Sequence, residues 1–465
     1  MRYVNGVMKD INIAYIGGGS RGWAWGLMSD LVSASDISGT VMLYDVDYNA
    51  SKANEIIGNK FNSAKGAKSE WTYKTALTLQ QAVTGADFII ISILPGTFDE
   101  MHSDVHAPEE YGIYQSVGDT AGLGGIIRSL RCMPMFEEIG LAVKNYAPNA
   151  WVINYTNPMA LCTKTLYRVF PQIKAFGCCH EVFAVKKFLL KAFNEIKGQN
   201  ADETNHRLVK ANVVGVNHFT WFTSARYQNH DLFETYRAFA EKYKDVGVDE
   251  PADTNWMNRM FISRERVKFD LFLKYGYIAA AGDRHLAEFC PGEWYLDSPK
   301  TVENWGFQIT TVDFRKGDLQ RKLERSKRLV SGEEEPVIAL TGEEGVDQIR
   351  ALVGLQDLVT NVNIPNVGQI SNLPLGAVVE TNAVFRADEV RPVYSGNVPS
   401  NIYSLVERAV KEQLGVDQAV SERSLEKAFK VFCNSNQLKC KHDIAKELFN
   451  KMVNNTKKYL KEYFN

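Results

Sequence analysis

Residues 11–22 read Ile11-Asn12-Ile13-Ala14-Tyr15-Ile16-Gly17-Gly18-Gly19-Ser20-Arg21-Gly22, an apolar run that ends in a cluster of glycines. The run suits a buried strand and the glycines a tight turn, with a helix predicted from about Gly22 to Ala34. Gly17, Gly19 and Gly22 stand at G-x-G-x-x-G spacing, with Ser20 inside the loop. In a dinucleotide fold such glycines form the turn, admit a pyrophosphate and let the helix pack closely on the strand. The free amides that begin the helix would face the phosphates. Glycine clusters occur in many turns, so the weight comes from context. A second predicted strand, Thr40 to Tyr44, ends at Asp45, where an acid binds the ribose. Gly17, Gly19, Ser20, Gly22 and Asp45 are the candidate cofactor residues, and the Asp45 carboxylate favours NAD because it would repel a 2′-phosphate. A plain βα turn with a surface aspartate is the competing reading; strand, turn, helix and acid together weigh against it.

Working outward, a polar helix is predicted from about Tyr48 to Ala64, and Phe88 to Leu94 is a continuous apolar strand closed by Pro95-Gly96. Trp151 to Tyr155 and Ile173 to Gly177 read as further strands, with helices at roughly 125–146 and 159–169. This alternation predicts an α/β fold: a Rossmann-type, doubly wound parallel sheet over residues 1–205. Beyond it the pattern changes. Val209 to Val216 is strand-like, 360–396 is β-rich with many turn residues, and 230–275 and 403–464 are largely amphipathic and helical. Residues 206–465 are therefore expected to form a second, α+β domain for substrate binding and oligomerisation.

The 465 residues are 45% hydrophobic and 23% charged, with a net charge of −2 from 53 basic and 55 acidic side chains. That balance offers no strong field for nucleic acid or an acidic membrane, and suits a small substrate. Apolar runs are too short and too interrupted by charge for a membrane span. Seven scattered cysteines, an odd number, argue against a disulfide framework and for a reducing compartment, so the cytoplasm is expected.

Three later segments place polar residues after predicted strands, where an open α/β sheet binds ligands. They are Asn154-Tyr155-Thr156-Asn157-Pro158, Cys178-Cys179-His180-Glu181-Val182 and Gly215-Val216-Asn217-His218. Cysteine and histidine from two such loops could jointly hold a transition metal. On spacing alone the signal is weak, since a buried thiol and a satisfied core histidine are the commoner cases.

Taken together, these segments resemble glycoside hydrolase family 4, from about Asp10 to about Phe385. The resemblance also rests on Tyr44-Asp45-Val46-Asp47, on Gly118-Asp119-Thr120-Ala121-Gly122-Leu123-Gly124-Gly125 with Leu130-Arg131, and on Asn372-Leu373-Pro374 with Val379-Glu380. It implies that Cys179 and His218 ligate a metal, usually Mn²⁺, and that Asn157 and Arg131 contact substrate. It also implies NAD-dependent oxidation at the sugar C3, elimination of the leaving group, water addition and re-reduction, rather than a carboxylate pair. The base aligns with Gly282-Asp283-Arg284-His285, giving Asp283 as first candidate and His285 as second; His180 is the candidate acid. The tetrad Cys179-His180-Glu181-Val182 looks like the branch that cleaves α-galacturonides, with α-glucuronides and α-galactosides as alternatives. Glu181 and Arg284 are further candidate substrate contacts. Arginine suits a uronate carboxylate, whereas Glu181 would repel one at close range. A dimer or tetramer is expected by the same analogy. A hydroxy-acid dehydrogenase or an NAD-sensing protein would explain the glycine loop but not Cys179 with His218.

Overall fold

Phe88, Ile89, Ile90 and Ile91 are all buried, yet they serve two cores. Phe88 and Ile90 pack with Ile13 and Tyr15 on one side of the sheet, while Ile89 and Ile91 pack with Ala14 and Ile16 on the other. Alternating side chains point to opposite faces, so a strand covered on both sides must be apolar throughout. This is the physical content of the continuous apolar runs in the sequence.

The structure, a computed structural model, describes residues 1–248, 263–309 and 311–464. Strands β1 (Arg2–Val4), β2 (Val7–Ile16), β3 (Ile37–Tyr44), β4 (Trp71–Thr75), β5 (Phe88–Ile91), β6 (Trp151–Asn154) and β7 (Lys174–Gly177) come from the first half of the chain. From β4 the order runs β3-β2-β5-β6-β7, all neighbours parallel, while β1 folds back antiparallel on β2. Chain order reverses between β2 and β5, and the crevice at that switch point is where such sheets bind ligands. The doubly wound expectation holds, with one addition. β12 (Leu358–Pro365) joins β7 antiparallel through Asn363 and Gly177, and β13 (Val378–Arg386) and β14 (Glu389–Pro392) extend the sheet further.

The second sheet holds β8 (Val209–Val216), β9 (Phe219–Tyr227), β10 (His230–Asp231) and β11 (Ile278–Ala279), all paired antiparallel with β9. The tight β8–β9 turn contains Asn217 and His218, and His218 has a left-handed backbone at φ 64°. The two halves are not consecutive blocks divided at 205. Leu329, Ile349, Leu352, Val362 and Phe385 return to the first core, and Val416, Ala419 and Val420 pack against the helix Gly122–Tyr146. In the segment read as helical over 230–275, helices occupy Leu232–Tyr243 and Arg266–Tyr275; residues 249–262 lie outside the described ones. Among the described residues, no helix is long and apolar enough to cross a membrane.

Candidate active site

The glycine loop is built for close approach. Gly17 has φ 94°, and a Cβ there would lie 2.0 Å from the Ser92 carbonyl oxygen. A Cβ on Gly19 would meet Ala50 at 2.6 Å and the Asp45 carboxylate at 2.9 Å. Tyr44 O accepts from both Gly17 N and Gly18 N, and the Asn54 side chain donates to the carbonyls of Gly18 and Ser20. Asp45 Oδ2 accepts from Gly19 N at 3.0 Å, so the acid sits at the rim of the turn. The helix Trp23–Ser33 follows N-cap Gly22 with no side-chain cap, leaving its first amides to an anion. Gly17, Gly19, Ser20, Gly22 and Asp45 therefore come together in a cradle that fits a dinucleotide.

A second centre forms where β7 ends beside the β8–β9 turn. Asn217 donates to Glu380 Oε2 at 3.3 Å and lies near Cys179, which joins the β8–β9 turn to the end of β7. Burial, with Glu380 and Glu181 nearby, pushes the Cys179 thiol well above its usual range, so a cation is needed to hold a thiolate there. His218 Nδ1 lies 3.1 Å from Thr120 Oγ1, and that hydroxyl donates to Asp119 Oδ1 at 2.7 Å. With its single proton spent on Asp119, the hydroxyl must accept from Nδ1–H, which leaves the Nε2 lone pair for a metal. Among the described residues, no three His, Cys, Asp or Glu side chains converge as a metal site. Two protein donors, one thiol and one imidazole, fit a divalent ion whose remaining positions are filled by oxygen from elsewhere.

Around this pair lie His180, Glu181 and His285. The His285 ring stacks on His218 with centroids 3.8 Å apart, and its Nε2 lies 3.8 Å from Glu181 Oε1. Glu181 Oε2 accepts from Gly282 N at 2.6 Å. Burial works against ionisation of Glu181, yet the imidazoles of His285, His180 and His218 outweigh it and hold the carboxyl down to about 2. Burial holds the His218 and His285 rings neutral, so the Glu181 carboxylate keeps its negative charge beside the site. His180 Nδ1 pairs with Glu343 Oε1 at 2.9 Å, and Trp23 lies against both His180 and Tyr155.

Two expected residues are placed elsewhere. Asp283 is fully buried, and its two carboxylate oxygens accept from Val267 N and Lys268 N at the start of the helix Arg266–Tyr275. Bound to those amides, it closes a helix end and is not free to take a proton from a sugar; His285 is the aligned residue that faces the site. Arg131 is also sealed. Its guanidinium makes a two-pronged pair with Asp104 and donates from Nε to Pro95 O at 2.8 Å. One helical turn earlier, Arg128 donates from Nε to Asn157 O at 3.0 Å, while its buried Nη1 and the buried Asn157 Oδ1 lack hydrogen-bond partners. Arg284 is half-buried with Nη2 on Ser116 O. Sequence reasoning missed Thr120, Arg128, Glu343 and Asn217 as working residues. Thr120 and Asn217 stand inside the quoted motifs and Arg128 three residues before Arg131, whereas nothing in the local sequence marks Glu343.

Residues 12–195 match Family 4 glycosyl hydrolase, and residues 213–437 match the Family 4 glycosyl hydrolase C-terminal domain. An α-galacturonidase of Thermoanaerobacterium saccharolyticum is 58% identical over 99% of this chain and 98% of its own length. An α-galacturonidase of Bacillus subtilis is 47% identical over 96% of this chain and 97% of its own. The crystal structure of the Bacillus subtilis protein lplD superposes with a TM-score of 0.90 at 47% identity, covering 96% of this chain and 100% of that one. A 6-phospho-α-glucosidase from gut microorganisms, solved with NAD and Mn²⁺, shares the fold at a TM-score of 0.77 and 19% identity, covering 97% of this chain and 99% of that one. The glycine cradle, the thiol–imidazole pair and these matches agree that the chain belongs to family 4 of the glycosyl hydrolases.

Proposed function

We propose that the protein is an NAD- and Mn²⁺-dependent α-galacturonidase. The observation that carries this reading is the cluster at the end of β7, where Cys179 and His218 offer two metal donors with His180, Glu181 and His285 packed around them. The α-galacturonidase relatives support the choice of sugar. NAD⁺ in the glycine cradle supplies a hydride acceptor for the sugar C3, and Mn²⁺ supplies a Lewis acid for the ketone so formed. Cys179 and His218 would hold the metal, and Asn157 would bind the sugar beside it. His285 takes the C2 proton: its Nδ1 is buried without a partner and its ring rests on His218. Glu181, with Oε1 3.8 Å from His285 Nε2, steadies the charge that His285 acquires. His180, oriented by Glu343, protonates the departing glycosidic oxygen.

The same proposal places the protein in the cytoplasm, where its seven cysteines, all free, would stay reduced. It also includes a homo-oligomer of two or four copies, supported by exposed Val367, Leu375 and Tyr394 on loops that pack side by side. The test is hydrolysis of 4-nitrophenyl α- and β-galacturonides, glucuronides and galactosides, with NAD⁺, Mn²⁺ and a thiol reductant each present or omitted. Release from the α-galacturonide alone, dependent on NAD⁺ and Mn²⁺ and without NADH build-up, is expected. Preference for another glycoside overturns the choice of sugar.

A further inference from the structure

A galacturonide differs from a galactoside only at C6, where a carboxylate replaces a hydroxymethyl group. An enzyme that separates them must place a positive group on that side of the ring. Arg131 does not serve, because Asp104 and Pro95 O occupy its donors. We propose that Arg128, held against Asn157 with Arg315 near it, reads the C6 carboxylate of the sugar. This inference rests on the α-galacturonide reading above.

Arg128 lies on the helix Gly122–Tyr146 and is 5% exposed. Its Nε is anchored on the Asn157 carbonyl oxygen at 3.0 Å, which fixes the plane of the guanidinium. Nη1 is buried without a hydrogen-bond partner, and so is the Asn157 Oδ1. An unmet charged donor and an unmet acceptor on touching residues call for a ligand that brings an anion and a hydroxyl together. A hexuronate does this, its carboxylate accepting from Arg128 and a ring hydroxyl donating to Asn157.

The position also agrees with the metal pair. Arg128 faces Asp119, and Asp119 accepts from Thr120, which in turn holds His218. Arg284 and Arg315 face the same Asp119, and Arg315 feels both Arg128 and Arg284. Burial, and next to it Arg315, lowers Arg284 to about 10, the mark of like charges crowded out of water. Such crowding is costly in a closed core and becomes favourable once an anion enters.

The test uses the full chain with NAD⁺ and Mn²⁺, and two substitutions. Arg128→Lys keeps the charge and loses the planar fork. Arg315→Gln lies at a half-buried position and serves should the first variant fail to fold, as judged by circular dichroism. Binding of D-galacturonate and D-galactose is followed by tryptophan fluorescence, and kcat/KM is measured on the matching 4-nitrophenyl α-glycosides. The preference for the uronate is expected to fall at least about 30-fold in Arg128→Lys, the loss of hydrogen bonding to one charged group. It falls by a smaller factor in Arg315→Gln. An unchanged preference in the folded variants overturns the subsite while leaving the α-galacturonidase reading intact. Conversely, Arg128-dependent binding of D-galacturonate by a wild-type protein that releases nothing from the α-galacturonide removes the reading and keeps the subsite.

Discussion

Replacing Thr120 by valine removes one hydroxyl and leaves shape and volume almost unchanged. That hydroxyl joins Asp119 Oδ1 at 2.7 Å to His218 Nδ1 at 3.1 Å, and His218 is only 4% exposed, so water does not readily take its place. Without the acceptor, the buried Nδ1–H is unsatisfied at a cost of about 1–3 kcal/mol. The imidazole lowers that cost by moving its proton to Nε2, the nitrogen a metal requires. Ligation must then reverse the shift, so Mn²⁺ affinity falls by roughly 10- to 100-fold, the usual loss for an outer partner of a ligating histidine. The measurement is the signal of free Mn²⁺ in electron paramagnetic resonance as metal is titrated into the purified chain, which needs no turnover. The activity midpoint in Mn²⁺ should move by a similar factor, with NAD⁺ binding unchanged. A dissociation constant within about twofold of wild type would refute both the tautomer argument and the choice of His218 as ligand.

Asp283→Ala should lower the melting temperature, because two buried amides lose their acceptor at about 1–3 kcal/mol each; a lost kcat with unchanged melting would restore Asp283 as the base. Glu288 accepts from Val117 N and Gly118 N, and burial pushes its carboxyl from 4.5 up to about 8. The folded state therefore holds an extra proton between those two values and loses stability as pH rises through that window. Glu288→Gln should flatten the fall in melting temperature from acid to mildly alkaline pH, and an unaltered slope counts against the assignment. Gly17→Ala, with its Cβ driven against Ser92 O at φ 94°, should both destabilise the chain and weaken NAD⁺ binding measured by calorimetry.

The part of the fold that could be read in advance is the part where local pattern and tertiary burden agree. The apolar run Ile11 to Ile16, its glycine turn and Asp45 form a contiguous device, and the same holds for the Met159–Val169 helix. What could not be read is long-range. Nothing near Leu358 announces that β12 will pair with β7 through Asn363 and Gly177, 186 residues apart. Likewise, Asp283 and His285 are two residues apart, yet one turns inward to a helix end and the other toward His218. A charged loop motif does not say which of its side chains meets the substrate. Arg128 and Arg131 show the same ambiguity on one helix: the arginine paired with Asp104 is structural, and only the packing of the helix Phe98–His106 reveals that partner. Glu181 illustrates a third kind of gap. Its sequence position does not say that Gly282 N and the His285 ring will be its neighbours.

The most direct test of the chemistry follows the hydrogen at C2 of the sugar. Hydrolysis of an α-galacturonide in D₂O, with NAD⁺ and Mn²⁺ present, should release galacturonate carrying deuterium at C2, read by NMR or mass spectrometry. The account predicts that label, because proton removal by His285 and later return from solvent lie on the only path to cleavage. Galacturonate released at full rate with no deuterium at C2 would contradict it and point to direct displacement at the anomeric carbon.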